Sequence, residues 1–164
     1  MDWLLIIVLL PLLAAAAVGF VPGSQRRAVR GITLGASGLS LLCALIVFCS
    51  FEVGGGLQFE TKKWIWVESL GLHFHLAADG INIGIILMGA IVAFAAACCA
   101  DDISHRVKEF HILLNLMIGG ILGAFASMDL FFFYFFHELA LVPTFMMIGV
   151  WGRGANRNLS LIHI

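Results

Sequence analysis

Four stretches of the sequence, Trp3–Val21, Gly31–Phe51, Gly80–Ala100 and Phe110–Met128, run for about twenty residues each without one Asp, Glu, Lys or Arg. A fifth, Leu130–Val150, holds a single such residue, Glu138. About twenty apolar residues in a helix cross the ~30 Å hydrocarbon core of a bilayer. Lipid offers the backbone no hydrogen bonds, so a crossing segment is a helix or a strand of a closed barrel. A barrel strand alternates in polarity over about ten residues, whereas Leu4–Leu13 and Ile83–Ala100 are apolar on every face. The expected fold is an all-α integral membrane protein with five transmembrane helices, at about 3–21, 31–51, 80–100, 110–128 and 130–150.

Composition excludes the alternatives. Of 164 residues, 62% are hydrophobic and 12% charged, too apolar for a soluble domain or a disordered chain. A net charge of −1 leaves no basic footprint for nucleic acid, and the lipid bilayer is the expected surrounding. The first stretch could be mistaken for a cleaved leader ending at Ala14–Ala17. Its start, Met1-Asp2-Trp3, lacks the positive charge of such leaders, so it reads as a span anchored by Trp3.

Five crossings put alternate loops on opposite sides. Seven of the nine basic residues then share a side, in loops 22–30 and 101–109 and in the tail at Arg153 and Arg157, while only Lys62 and Lys63 face the other. By the positive-inside tendency the amino terminus faces outward, and residues 22–30, 101–109 and 151–164 are cytoplasmic.

The long loop, Glu52–Asp79, opens with glycines and continues through Gln58–Val67, rich in β-forming residues, to Leu72–Leu76. It reads as a short outward-facing β-hairpin with Trp64 and Trp66 near the membrane surface. Asp79-Gly80 is the expected cap of the third span. Only Ser127–Leu130 separates the fourth and fifth spans, so these form a tight hairpin.

Most polar positions read as structural. Cys43, Cys49, Cys98 and Cys99 lack metal-ligand spacing and are expected to pack as small apolar residues. His73 and His75 share a strand face, which offers two metal ligands without a third, and no metal site is assigned. Phe131–Phe136, with Tyr134 among five Phe, reads as a packing and lipid-facing surface, and Asn82 and Asn115 as interhelical hydrogen-bonding residues.

Glu138 is different. It lies eight residues into the fifth span, ~12 Å along the axis at ~1.5 Å per residue. A carboxylate at that depth costs several kcal/mol unless it is partnered, hydrated or protonated, which marks it as a proton-handling group. The alternative is a neutral acid that bridges two helices. Pro143 has no N–H, so the Leu139 carbonyl loses its helical donor and the helix is expected to loosen beside the acid. Tyr134, four residues earlier, shares the face of Glu138 and offers a hydroxyl. His137 places a second titratable group alongside.

The segment Leu130-Phe131-Phe132-Phe133-Tyr134-Phe135-Phe136-His137-Glu138-Leu139-Ala140-Leu141-Val142-Pro143-Thr144-Phe145-Met146-Met147-Ile148-Gly149-Val150-Trp151-Gly152 closely resembles the fifth-helix signature of chain M (chain 4 in mitochondria) of the proton-pumping NADH–quinone oxidoreductases, respiratory complex I. His75-Leu76-Ala77-Ala78-Asp79-Gly80-Ile81-Asn82 looks like the segment that opens the third helix there. The resemblance runs from Trp3 to about Asn158, and Glu138 falls on the family's proton-handling glutamate. Pro143 favours chain M over its sister chain L and the multisubunit cation/proton antiporters, whereas His137 departs from the Trp of many relatives.

The resemblance implies a non-redox subunit of a translocating enzyme in a bacterial inner membrane. NADH, FMN, iron–sulfur clusters and quinone would sit on or between other subunits, and the partners would be other membrane-arm subunits. It also implies further helices, including one whose lysine partners the glutamate, so residues 1–158 read as an amino-terminal part that is inactive alone. Leu159–Ile164 departs from the family and reads as a non-native, adapter-derived tail. Two alternatives stay open: a subunit of a cation/proton antiporter or membrane-bound hydrogenase, and a small structural or assembly membrane protein.

Overall fold

The structure, a computed structural model, describes residues 2–52, 54, 56–100, 103 and 105–152. Arg153, Arg157 and the tail Leu159–Ile164 therefore lie outside the described residues. Five helices, α1 (Trp3–Phe20), α2 (Arg26–Cys49), α3 (Asn82–Cys99), α4 (Val107–Ala126) and α5 (Leu130–Trp151), are each long and apolar enough to cross a membrane. Between α2 and α3 lies a two-stranded antiparallel sheet, β1 (Trp64–Val67) and β2 (Leu72–Phe74). The five spans and the hairpin are as expected from the sequence.

Their boundaries differ in instructive ways. α2 begins at Arg26 rather than Gly31, because a helix satisfies its own backbone beyond the hydrocarbon, and Arg26 and Arg27 of its first turn are exposed. α4 starts at Val107 and stops at Ala126, earlier at both ends than its apolar run. The strands are shorter than the β-forming stretch around them. Gln58 meets Ala78 in an isolated bridge, and β1 shifts register between Ile65 and Val67. Gly71, at φ 64°, closes the connection in the left-handed region that favours glycine.

α1 to α4 form a four-helix bundle in which α1 packs on α2 and α4, and α3 packs on α2 and α4. Its core includes Leu4, Ile7 and Val8 of α1, Ala44 and Val47 of α2, Ile86 of α3, and Leu114, Ile118 and Leu122 of α4. α5 lies outside this bundle along α4, which makes α4 the most buried helix and α5 the least. Glycine permits both contacts. A β-carbon on Gly119 would sit 2.5 Å from Leu12 of α1, and one on Gly120 would sit 2.7 Å from the Ala140 nitrogen of α5. Such stripes of small residues let helix backbones approach where no hydrophobic force separates lipid from protein.

Helix α1 contains Pro11, which cannot donate to the carbonyl four residues earlier. That carbonyl belongs to Ile7, and the Ser40 hydroxyl of α2 donates to it at 3.2 Å. Asp79 caps α3 as expected. Its carboxylate accepts from the Ile81 and Asn82 N–H groups at 2.8 and 2.6 Å, and the Asn82 side-chain oxygen accepts from the Asp79 N–H at 2.7 Å. Asn82 also donates to the Phe125 carbonyl of α4 at 3.2 Å, the interhelical role expected of it.

The two ends of the bundle are separately tied. At one, Lys108 donates to the Gly19 carbonyl at 2.8 Å, and the Trp151 indole donates to the His105 carbonyl at 3.0 Å beneath the Arg106 guanidinium. At the other, the α4–α5 turn joins the hairpin: Ser127 bridges Leu76, and the Met128 N–H donates to the His75 carbonyl at 3.0 Å. The described basic residues of loops 22–30 and 101–109 thus gather at one end, and Lys62 and Lys63 belong to the hairpin at the other.

Candidate functional site

The position of Glu138 follows from how α5 is held. Asp129 caps the helix, its carboxylate accepting from the Phe131 N–H at 2.8 Å, and its second oxygen accepts from the His73 backbone N–H at 3.2 Å. The His73 N–H holds the Asp129 carboxyl below the usual carboxylate range, with the Phe131 and Phe132 N–H groups adding to the effect against a smaller opposing desolvation. The start of α5 is in this way tied to β2.

From there the helical period sorts the aromatic run. Phe132 and Phe136, one turn apart, are buried. Phe132 meets Phe74 edge to face at 5.1 Å, and Phe136 lies where a β-carbon on Gly123 would be. Phe131, Phe133 and Phe135 are exposed. The run is a packing face and a lipid-facing face wrapped round one helix, as expected.

Tyr134, His137 and Glu138 lie on the exposed side. The Glu138 side chain is 63% exposed, that of His137 51%, and Tyr134 is 57% exposed. The His137 Nδ1 is 3.9 Å from a Glu138 oxygen, while its ring stacks on Phe133 at 6.2 Å. Tyr134 shares the open side with Glu138, yet no hydrogen bond joins them among the described residues. The structure therefore brings His137 to the acid and leaves Tyr134 merely near it.

Pro143 is buried, and α5 continues as α-helix through it, so the expected loosening is not a break. Thr144 donates to the Ala140 carbonyl at 2.8 Å, one residue past the carbonyl that proline deprives. Among the described residues the Leu139 carbonyl receives no such hydroxyl, in contrast to that of Ile7 opposite Pro11. An acid and a histidine thus occupy adjacent exposed positions, ~12 Å into the span, next in sequence to Leu139, whose side chain packs against the core.

The remaining candidates are structural. His75 is buried with its Nε2 3.1 Å from a Glu60 oxygen, and His73 interacts through its backbone as above. Among the described residues no three His, Cys, Asp or Glu side chains gather as a metal site. Cys43 packs in the bundle as expected, whereas Cys49, Cys98 and Cys99 are exposed, since short apolar side chains are tolerated equally well on an outer helix surface. Asn115 donates to the Thr33 hydroxyl of α2 at 2.8 Å. Sequence reasoning passed over its neighbour His111, which is fully buried. The four-residue spacing of His111 and Asn115 on one helix face was the available signal.

Comparison with known proteins gives one direction. The chain is 32% identical over 154 residues to NAD(P)H-quinone oxidoreductase chain 4, chloroplastic, of Angiopteris evecta, an alignment that covers 93% of this chain and 31% of that protein. It is 34% identical over 152 residues to the same chain of Ipomoea purpurea, covering 92% and 30%. The chain spans about a third of the length of these curated relatives. Among solved structures it is similar to a chain of respiratory complex I from Thermus thermophilus with bound NADH, at TM-score 0.76 and 27% identity, over 98% of this chain and 31% of that one. A chain of a membrane-bound sulfane sulfur reductase, an archaeal respiratory membrane complex, shares the fold at TM-score 0.71 and 20% identity, over 87% and 22%. No protein-family model matches.

Proposed function

Because this chain is homologous, over about a third of their length, to the chain 4 subunits of the NAD(P)H–quinone oxidoreductases, we propose that it acts in proton translocation as an antiporter-like membrane-arm subunit, with Glu138 as the proton-carrying group. The observation that carries the reading is the placement of Glu138 in mid-span on the uncovered face of α5. A bridging acid would point into the bundle and find a neighbour there. This one points to where a further helix or subunit would cover it.

The chemistry follows from the environment. Once covered, the carboxyl group is favoured in its protonated form by desolvation and in its ionised form by a cation brought close. A partner that approaches and withdraws loads and unloads one proton. The Leu139 carbonyl, without its Pro143 donor, accepts a hydrogen bond from water beside the acid, and His137 offers an alternate acceptor for the proton. No electron carrier is assigned to this chain: NADH, FMN, iron–sulfur clusters and quinone are placed with other subunits, which are also its partners. The basic end faces the cytoplasm, and the amino terminus and hairpin face out, in a bacterial inner membrane. The likeness to the sulfane sulfur reductase is one of fold and does not favour a second reading.

In the assembled oxidoreductase, Glu138→Gln keeps the size and hydrogen bonding of the side chain and removes its proton. Assembly is expected to persist while pumping and coupled quinone reduction fall, with Glu138→Asp milder. Wild-type pumping in the Gln variant would overturn the assignment.

A further inference from the structure

One titratable ring inside the bundle takes no part in the reading above. His111 lies one turn into α4 from the basic end, with none of its surface exposed, and Asn115 and Thr33 beside it are equally buried. The side-chain donors of Asn115 and Thr33 are committed. Asn115 gives its amide hydrogens to the Thr33 hydroxyl and the His111 carbonyl, both at 2.8 Å, and Thr33 donates to the Val29 carbonyl at 3.2 Å.

What remains is His111 Nδ1, His111 Nε2 and Asn115 Oδ1, all buried and all without a hydrogen-bond partner among the described residues. Buried polar atoms in native proteins are almost always paired, with protein or with water. Phe110, edge-on to the ring at 5.8 Å, offers no hydrogen bond. Arg30 of α2 acts on the ring electrostatically, and Lys108, on the same helix, is turned to the Gly19 carbonyl.

We propose that His111, Asn115 and Thr33 build a water-binding site at the α2–α4 interface, entered from the basic end, in which His111 exchanges its ring proton with the bound water. The donor and acceptor roles fit. A neutral imidazole has one N–H and one lone pair on opposite sides of the ring, so two waters serve it. One accepts the ring proton, and the other donates to the lone pair and to Asn115 Oδ1. In an exchange step a hydronium at the lone-pair nitrogen gives up its proton and becomes water. The imidazolium then releases the proton on its other nitrogen to the second water, which becomes hydronium; net charge is unchanged and the neutral ring is left as its other tautomer. Glu138 is on a different helix and takes no part, so failure here leaves its assignment standing.

The full chain is reconstituted in phospholipid nanodiscs with ring-¹⁵N histidine, and the His111 signal is identified by its loss in His111→Gln. The measurement is magnetisation transfer from water to each histidine ring. We expect His111 to receive it at a rate approaching that of exposed His105, and expect Asn115→Leu to lower the His111 rate several-fold without changing His105. A wild-type His111 ring that receives no transfer while His105 does would overturn the proposal without recourse to any variant. So would an unchanged His111 rate in a folded Asn115→Leu protein.

Discussion

Replacing Gly120 by alanine tests how α5 is seated. The added β-carbon would lie 2.7 Å from the Ala140 nitrogen, 2.8 Å from the Phe136 carbonyl oxygen and 3.0 Å from the Ala140 β-carbon. The first two are backbone atoms of α5, which cannot rotate aside as a side chain does. Bringing the shortest contact from 2.7 Å to an ordinary 3.4 Å displaces α5 by about 0.7 Å. Overpacking of this kind costs about 1–3 kcal/mol, and the better helix propensity of alanine returns about 1 kcal/mol, which leaves a net loss near 1 kcal/mol. Gly149→Ala, on the same pair of helices with nothing within 4 Å of its β-carbon, should gain about 0.5–1 kcal/mol from propensity alone. The two variants should therefore differ by about 2 kcal/mol, roughly a thirtyfold change in the unfolding equilibrium. Reversible denaturation in mixed micelles, followed by protease accessibility of α5, measures this directly. A second readout is functional. Phe136 and Ala140 flank Glu138 by two residues on either side, so the same displacement moves the acid, and pumping in the assembled complex should fall with Gly120→Ala and not with Gly149→Ala. Equal stability of the two variants would refute the close approach of α4 and α5.

Two further outcomes are expected. The depressed Asp129 carboxyl stabilises the fold fully above the unfolded carboxylate value of about 3.9 and loses that contribution as pH falls through its lower folded value, so thermal stability should drop on acidification below about pH 4; Asp129→Asn should flatten this dependence while keeping most of the cap, and Asp129→Ala should cost about 1 kcal/mol at neutral pH in the same melts. Single cysteines at exposed Ser24 and Ser69, in a background without the four native ones, should react with impermeant maleimide from opposite sides of sealed vesicles, and labelling of both from one side would disprove the five-span order.

The spans were legible because crossing lipid demands length and apolarity, both of which a sequence displays directly. Their ends were less so, as at Arg26, where the helix outruns the hydrocarbon and composition no longer marks the boundary. The depth of Glu138 could be counted, but its direction could not. α5 is apolar all round, so no polar stripe told which side met α4. Gly119, Gly120 and Gly123 were visible as glycines, yet only the bundle shows that they admit α1 on one side and α5 on the other. His111 was harder to read for the opposite reason: its four-residue spacing from Asn115 shows a shared helix face, but only the bundle brings Thr33 of α2 to Asn115 and buries the group.

The bond from Ser40 to the Ile7 carbonyl has a consequence in time. The chain is made from its amino terminus, so α1 is complete while Ser40 is still unsynthesised or inside the ribosome. Released into lipid alone, α1 would carry a bare carbonyl opposite Pro11, at a cost of several kcal/mol. Retention of α1 in a wet insertion channel until α2 arrives, and departure of the two as a pair, removes that penalty. A serine that fixes the register of two finished helices thereby also favours their entering the membrane together.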